Sequence, residues 1–342
     1  MSDAAAPPHP RDVFTLDEIE APAAAFAKAM ASGRLHHAWL LTGPEGVGKA
    51  SFAYRAARRL LGAREAPAFG SLGSAPEDPV SRLVAAQSHP DLMVLERQMD
   101  GGKLKKSILV DDARRLPEFF AKAPSHAPFR VAIVDSADDL NLNAANAVLK
   151  TLEEPPERGV LFLVAHSPGR LLATIRSRCR RLAFAPWPQD RLAGFVRARL
   201  DLAEADAMRM ADMAKGAPGR ALSLAAAGAL AVDDQAGALL ARLPDASEAE
   251  IIAITDSFRG GEGAQRFALL LERLSERLRA AALAGVTQPQ IAKADLDRWA
   301  GLWEQLTRLP GEVEAINLDR GDAFWSVMAD LKAAARRQPF RC

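Results

Sequence analysis

The sequence predicts an α/β domain with a mostly parallel sheet, followed by a chain that is helical to its end. Three observations carry this. Short apolar runs alternate with helical periodicity up to residue 184, the pattern of strands joined by crossover helices. Gly43-Pro44-Glu45-Gly46-Val47-Gly48-Lys49 fits the G-x-x-x-x-G-K frame and sits between a strand-like run and a helix, as a phosphate-binding loop requires. After Pro186-Trp187-Pro188 only helical spacing remains.

Taken in order, residues 1–14 are rich in Pro and Ala and are expected to be poorly ordered. A helix is expected over Ala23–Ser32 with Pro22 at its entrance, then a strand over Ala38–Thr42 that runs into the glycine-rich loop. Arg55–Leu61 continues a helix after the loop, while residues 62–88 carry Gly, Pro, Ser and Ala with no clear element. Leu92–Leu95 is a second strand, Asp100-Gly101-Gly102 a turn, and Val110–Ala123 a helix in which Pro117 must sit early or cause a bend. Arg130–Asp135 and Val160–Ala165 are nearly continuous apolar runs, the signature of strands buried on both faces. A helix over Asn143–Glu154 stops at Pro155-Pro156; Leu171–Arg178 is a short helix and Arg181–Phe184 the last strand. Beyond residue 189, Lys215-Gly216-Ala217-Pro218-Gly219 interrupts a small helical unit that resumes at Arg220–Ala227. Breaks at Arg259-Gly260-Gly261-Glu262-Gly263 and Leu309-Pro310-Gly311 divide the longer helices of about 232–338.

Composition narrows the functional classes. The 342 residues are 49% hydrophobic and 25% charged, ordinary for a globular chain of two or three domains. The net charge of +1 carries no whole-chain nucleic-acid signal. Two cysteines, Cys179 and Cys342, rule out a four-cysteine zinc module and a disulfide framework, and fit a reducing cytoplasm. Residues 1–12 lack the basic start and apolar stretch of a secretory signal, and no apolar segment reaches membrane-span length, so a cytoplasmic location without membrane contact is expected.

The chemistry-bearing residues are as informative for what they lack. Gly43, Gly46 and Gly48 let backbone N–H groups point inward, and Lys49 would reach outer phosphates. The hydroxyl that should follow, a magnesium ligand, is replaced by Ala50. Ser51 lies one helical step away, a rotation of roughly 100°. The strand Val131–Val134 ends in Asp135, which could hold magnesium through water. Where a water-polarising acid belongs stands Ser136, which has no suitable pKa for that task. Asp138 and Asp139 are expected to point elsewhere, as helix-start acids. A degenerate nucleotide site and a loop retained only for packing both fit this pattern.

Leu35-His36-His37-Ala38-Trp39-Leu40-Leu41-Thr42-Gly43-Pro44, then Ser88-His89-Pro90-Asp91-Leu92, then Asn143–Pro156 (NAANAVLKTLEEPP), with Ser177-Arg178-Cys179 downstream, together resemble the clamp-loader branch of the AAA+ ATPases, the subunits that serve bacterial DNA polymerase III. The resemblance is strong over about residues 20–228. It implies a RecA-like P-loop (AAA+) domain over 1–186, a helical lid over 187–229 and an all-α collar over 230–342 for oligomerisation. It implies a five-membered ring that uses ATP to open the beta sliding clamp and place it on primed DNA. The partners would be gamma/tau motor subunits and a delta subunit. With both loop and acid defective, this chain would hydrolyse no ATP and require no cofactor. ATP and magnesium would act at the neighbouring subunit, and any nucleotide on Lys49 would stay unhydrolysed. The resemblance also makes Arg178 an arginine finger, supplied in trans to the adjacent nucleotide site. The plain alternative is a surface arginine, since Arg176, Arg180 and Arg181 crowd the same segment.

Departures from the family pattern are visible. Residues 62–88 lack the zinc module that many members carry, the sensor position after Val160–Val164 reads Ala165-His166, and Gly219 stands where active subunits place a sensor arginine, leaving Arg220 displaced by one. An ATP-hydrolysing gamma/tau-like motor is the first alternative, opposed by Ala50 and Ser136. A stand-alone nucleic-acid-binding P-loop protein is the second, opposed by the balanced charge. Adjacent His36 and His37 should diverge and pack a hinge. Lys103, Lys105 and Lys106 read as a solvated turn. Trp299, Trp303 and Trp325 are expected to pack the collar core or its interfaces, the first two on one helix face.

Overall fold

The computed structural model describes residues 7–100, 103–105, 107–286 and 293–337. Residues 1–6, Gly101, Gly102, Lys106 and Cys342 lie outside them, so the turn at 100–102 and part of the lysine cluster are not described. The chain divides into two compact units, Ala5–Ser223 and Leu224–Cys342.

The first unit begins with α1 (Glu20–Ala31), β1 (Ala38–Thr42), α2 (Lys49–Leu60) and α3 (Pro79–Ala85). Then come β2 (Leu92–Glu96), a small antiparallel pair β3 (Met99–Asp100) and β4 (Lys103–Leu104), α4 (Val110–Ala121), β5 (Arg130–Asp135) and α5 (Leu142–Glu153). β6 (Gly159–Ala165), α6 (Ala173–Ser177) and β7 (Arg180–Ala183) complete the sheet region, and α7 (Gln189–Leu200), α8 (Glu204–Ala214) and α9 (Pro218–Ala226) follow. The main sheet is parallel, in the order β2-β5-β6-β1-β7. Helices cover both faces, so β1 and β6 are buried along their whole length and read as unbroken apolar runs. On one face Phe26, Trp39, Phe52 and Phe184 form a chain of edge-to-face rings 5.0–6.0 Å apart. On the other, Leu116 of α4 and Val148 and Leu152 of α5 pack on Val134, Leu161 and Leu163. Register brings Glu96 beside Asp135, Asp135 beside Val164, and Thr42 beside Ala165. Four strands thus deliver their C-terminal ends to one edge of the sheet, where open α/β folds bind ligands.

Three expectations for this unit are corrected. Residues 7–14 are held in place: the guanidinium of Arg55 donates to the Phe14 carbonyl, Arg58 donates to the carbonyls of Arg11 and Val13, and Arg58 stacks 4.0 Å from the Phe14 ring centre. Both arginines are 1% exposed, so the N-terminal segment satisfies cations that α2 buries. Residues 62–88 contain a 3-10 turn at Pro67–Phe69 and α3, whose start is fixed by Asp78 accepting from Val80 N and Ser81 N, with Pro79 at the first helical position. The rings of His36 and His37 stack at 4.4 Å instead of diverging, because His36 Nδ1 turns back to the Ala38 carbonyl at 2.8 Å. Pro117 lies inside α4.

The second unit holds α10 (Ala229–Ala241), α11 (Glu248–Asp256), α12 (Gly263–Val286), α13 (Lys293–Ile316) and α14 (Arg320–Arg337). The expected break at Leu309-Pro310-Gly311 does not occur; Pro310 sits within α13. Leu302, Leu306, Leu309 and Val313 are all buried at alternating four- and three-residue spacing. That continuous seam outweighs the roughly 3 kcal/mol cost of an interior proline. Phe258 centres the unit, edge-on to Phe267 and Phe324 at 5.2 Å each. Arg277 grips Asp233 with two hydrogen bonds of 2.7 and 3.1 Å. Trp299 is buried, whereas Trp303 is 38% exposed, so the pair does not share one environment. Among the described residues no strand follows β7, and no single helix is long and apolar enough to cross a membrane.

Candidate functional site

The loop after β1 closes tightly on its own lysine. Lys49 opens α2, is 2% exposed, and its ammonium donates to the carbonyls of Gly43 and Pro44 at 2.6 Å each. Burial lowers its pKa to about 8, against the opposing pull of Asp135, Asp138 and Glu45. The glycines at 43 and 46 are obligatory for close approach: a Cβ at Gly43 would lie 2.4 Å from the Phe184 carbonyl oxygen, and one at Gly46 would lie 2.5 Å from the Arg220 nitrogen. Gly46 also accepts a 2.8 Å hydrogen bond from Gly219 N at the start of α9. Gly48, with φ of 105°, caps α2 in the left-handed region.

A cavity of about 560 Å³ opens beside the loop. Its wall includes Lys49, Ala50, Asp135, Ser136 and His166, so the sheet brings Lys49 and Asp135 to one place. Ser51, expected to face away, reaches this wall too. Burial raises the Asp135 pKa to about 6; the Glu96 carboxylate beside it adds to the rise, and Lys49 counters it. Ser136 donates from Oγ to Asp139 Oδ2 at 2.9 Å, and Arg97 Nε lies 3.1 Å from the same oxygen. Asp138 accepts from the backbone N–H groups of His166 and Ser167. Asp139 therefore reaches the cavity wall, contrary to the sequence expectation, whereas Asp138 is not part of that wall. Both lie in the first turn of a 3-10 helix over Ala137–Asp139, as helix-start acids should. His166 has a buried Nδ1 with no hydrogen-bond partner, and burial followed by the Lys49 charge lowers its pKa.

Sequence reasoning missed Phe14, Leu16, Arg97 and Arg199, which line the same cavity. The one signal for the N-terminal segment was a pair of arginines, Arg55 and Arg58, on a helix with little polar surface. For Arg97 there was no motif; it arrives because β2 lies next to β5.

Arg178 is not in the cavity wall. It is the C-cap residue of α6, its side chain 38% exposed. Its Nη1 donates to the Thr174 carbonyl at 3.2 Å, and its Nη2 lies 3.1 Å from Glu153 Oε1. Burial pushes the neighbouring Cys179 thiol up to about 12, which leaves it un-ionised and unreactive.

The perturbed Asp135 yields a stability prediction. A carboxyl group raised from 3.8 to about 6 on folding binds its proton more tightly in the folded state, so stability falls as pH rises through that window. Asp135→Asn, which mimics the protonated form, is expected to stabilise the first unit at pH 7.5 by on the order of 1–3 kcal/mol. The gain should shrink to roughly half at pH 5. Urea melts of the variant and native chain at both pH values check this; equal stability at pH 7.5 would refute it.

The comparisons with known proteins agree with this architecture. Residues 20–188 match the family described as DNA polymerase III, delta subunit. The DNA polymerase III subunit delta' of Pseudomonas aeruginosa is 43% identical over 143 residues, 42% of this chain and 41% of that protein. The subunit delta' of Escherichia coli is 34% identical over 202 residues, 58% of each. The DNA polymerase III subunit gamma/tau of Mycobacterium tuberculosis is 34% identical over 177 residues, 52% of this chain and 28% of that protein. The chain thus spans about two fifths to three fifths of the delta' relatives. Over residues 20–188 it matches the DNA polymerase III clamp-loader family. Within that family it resembles the delta-prime subunit.

Proposed function

We propose that this chain is a non-hydrolysing, delta-prime-type stator of the clamp loader. It would take its place beside gamma/tau and delta subunits and help to load the beta clamp onto primed DNA. The observation that carries this is the acid position after Asp135. Ser136 stands there and donates its hydroxyl to Asp139, so no free carboxylate occupies the place where water would be activated. Ala50 supplies no oxygen to a magnesium ion, and the Lys49 ammonium is occupied by two loop carbonyls. These residues do not fit a hydrolytic magnesium–ATP site, and no hydrolysis is routed through them. Gly43, Gly46, Gly48, Lys49 and Asp135 would at most hold a nucleotide that is not cleaved.

The chemical contribution is assigned to Arg178. A guanidinium offered to a neighbour's transferring phosphoryl group neutralises charge that develops in the transition state. The half-exposed position of Arg178 at a helix end, with no part in the core, supports this role.

The test of the stator reading is ATP turnover by the isolated chain. The expected outcome is none above background with magnesium, and none after Ala50→Thr with Ser136→Glu, since the Lys49 ammonium remains tied to two loop carbonyls. Magnesium-dependent cleavage by the native chain would favour the second reading, a gamma/tau-like motor. That reading is kept because the gamma/tau relative matches at the same 34% identity as the Escherichia coli delta'.

A further inference from the structure

We infer that Glu153 is a positioning residue for Arg178, holding its guanidinium in a fixed orientation for the neighbouring nucleotide site. This rests on the arginine-finger reading above.

Arg178 sits in a poor place to be rigid. The helix before it, α6, has only five residues, and its backbone has already left helical geometry, with φ −98° and ψ 0°. An arginine there would sample many rotamers, and each wrong one costs rate when the reacting group must be met in one geometry. Two contacts restrict it. One is the carbonyl of Thr174, left over at the end of α6, which also accepts from Ser177 Oγ at 3.1 Å. The other comes from a different element. Glu153 is the last residue of α5, and Oε1 meets Arg178 Nη2 at 3.1 Å. α5 is a firm base for this contact, because Ala144, Ala147, Val148, Thr151 and Leu152 bury it against the sheet.

The arithmetic of donors leaves the finger usable. A guanidinium has five N–H groups. Thr174 and Glu153 take two, and three stay available to phosphate oxygens. The carboxylate partly offsets the arginine charge, yet it is 52% exposed, so screening keeps that cost small while the geometric restriction persists.

The experiment uses the reconstituted clamp loader with DNA, reading kcat and KM for ATP. Glu153→Ala is expected to lower kcat about 5-fold with KM unchanged, an effect the size of one exposed ion pair. Glu153→Gln keeps an acceptor at the same reach and is expected to recover most of the rate. In an Arg178→Ala background, Glu153→Ala should add nothing. Turnover by Glu153→Ala at or above the native level would overturn the proposal, as would an equal loss in the Arg178→Ala background, which would mark Glu153 as merely structural. Failure of Arg178→Ala itself to lower turnover would instead remove the finger, a distinct outcome. Thermal melts of the isolated variants confirm that α5 is intact.

Discussion

Replacing Arg178 by alanine is expected to slow ATP turnover by on the order of 10³ at the neighbouring site that receives it, while the ring still assembles. The structural reason for the second half is that Arg178 supports nothing in its own unit. It caps a five-residue helix, is more than a third exposed, and among the described residues its guanidinium makes polar contacts to Thr174 and Glu153. Deleting the side chain costs at most one exposed ion pair, about 0–1 kcal/mol. The reason for the first half is the proposed finger role: a fixed positive fork would act where phosphoryl charge spreads in the transition state. Arg178→Lys keeps the charge and loses the fork, so it should recover only part of the rate. Size-exclusion chromatography checks assembly, and DNA-stimulated ATP turnover and clamp loading check function. Native turnover by an assembled Arg178→Ala complex would refute the assignment.

Much of the first unit was legible because its signals are local. A parallel strand buried on both faces must be apolar throughout, so β1, β5 and β6 announce themselves, and the glycine frame at 43–48 is read directly. The missing hydroxyl at Ala50 and missing acid at Ser136 were equally plain. What stayed hidden depends on partners distant in sequence. Arg97 enters the cavity only because β2 pairs with β5, and Asp139 turns inward because Arg97 and Ser136 meet it there. Phe14 and Leu16 line the cavity because Arg55 and Arg58 hold the segment before α1. Pro310 looked like a helix end by propensity, and the Leu302–Val313 seam overrode it. The boundary of α3 was readable in hindsight from Asp78-Pro79, a capping residue followed by proline, but Gly and Ser around it masked the signal.

Asp91 shows how a motif residue can be essential without touching chemistry, and it gives the second large prediction. It belongs to the Ser88–Leu92 segment that carries the family resemblance, yet it lies outside the phosphate-loop cavity and is fully buried. Its carboxylate accepts from Ser125 N at 2.8 Å, His126 N at 3.0 Å and Ala127 N at 3.2 Å, and Arg130 Nε lies 3.3 Å away. Burial alone would raise its pKa, but the three N–H groups and the Arg130 charge outweigh burial and hold it below the usual carboxylate range. One side chain thus ties the loop before β5 to the start of β2. Asp91→Ala leaves three backbone N–H groups, of which that of Ala127 is buried, without this acceptor, and takes the carboxylate from beside the buried Arg130 guanidinium, which keeps the carbonyls of Phe119 and Ala123; it is expected to cost the first unit about 2–4 kcal/mol. Asp91→Asn should be nearly as harmful, because an amide turns donors toward donors. The sign of the pH effect follows from the depressed pKa: the contribution is complete at neutral pH and disappears as pH falls through the folded-state value, so native and variant chains should converge in strong acid. Hydrogen exchange at the amides of β2 and β5 reports on this unit alone and is the suitable readout. A loss below about 1 kcal/mol at pH 7 would mean that water replaces the carboxylate at little cost, and that the segment is held by something other than Asp91.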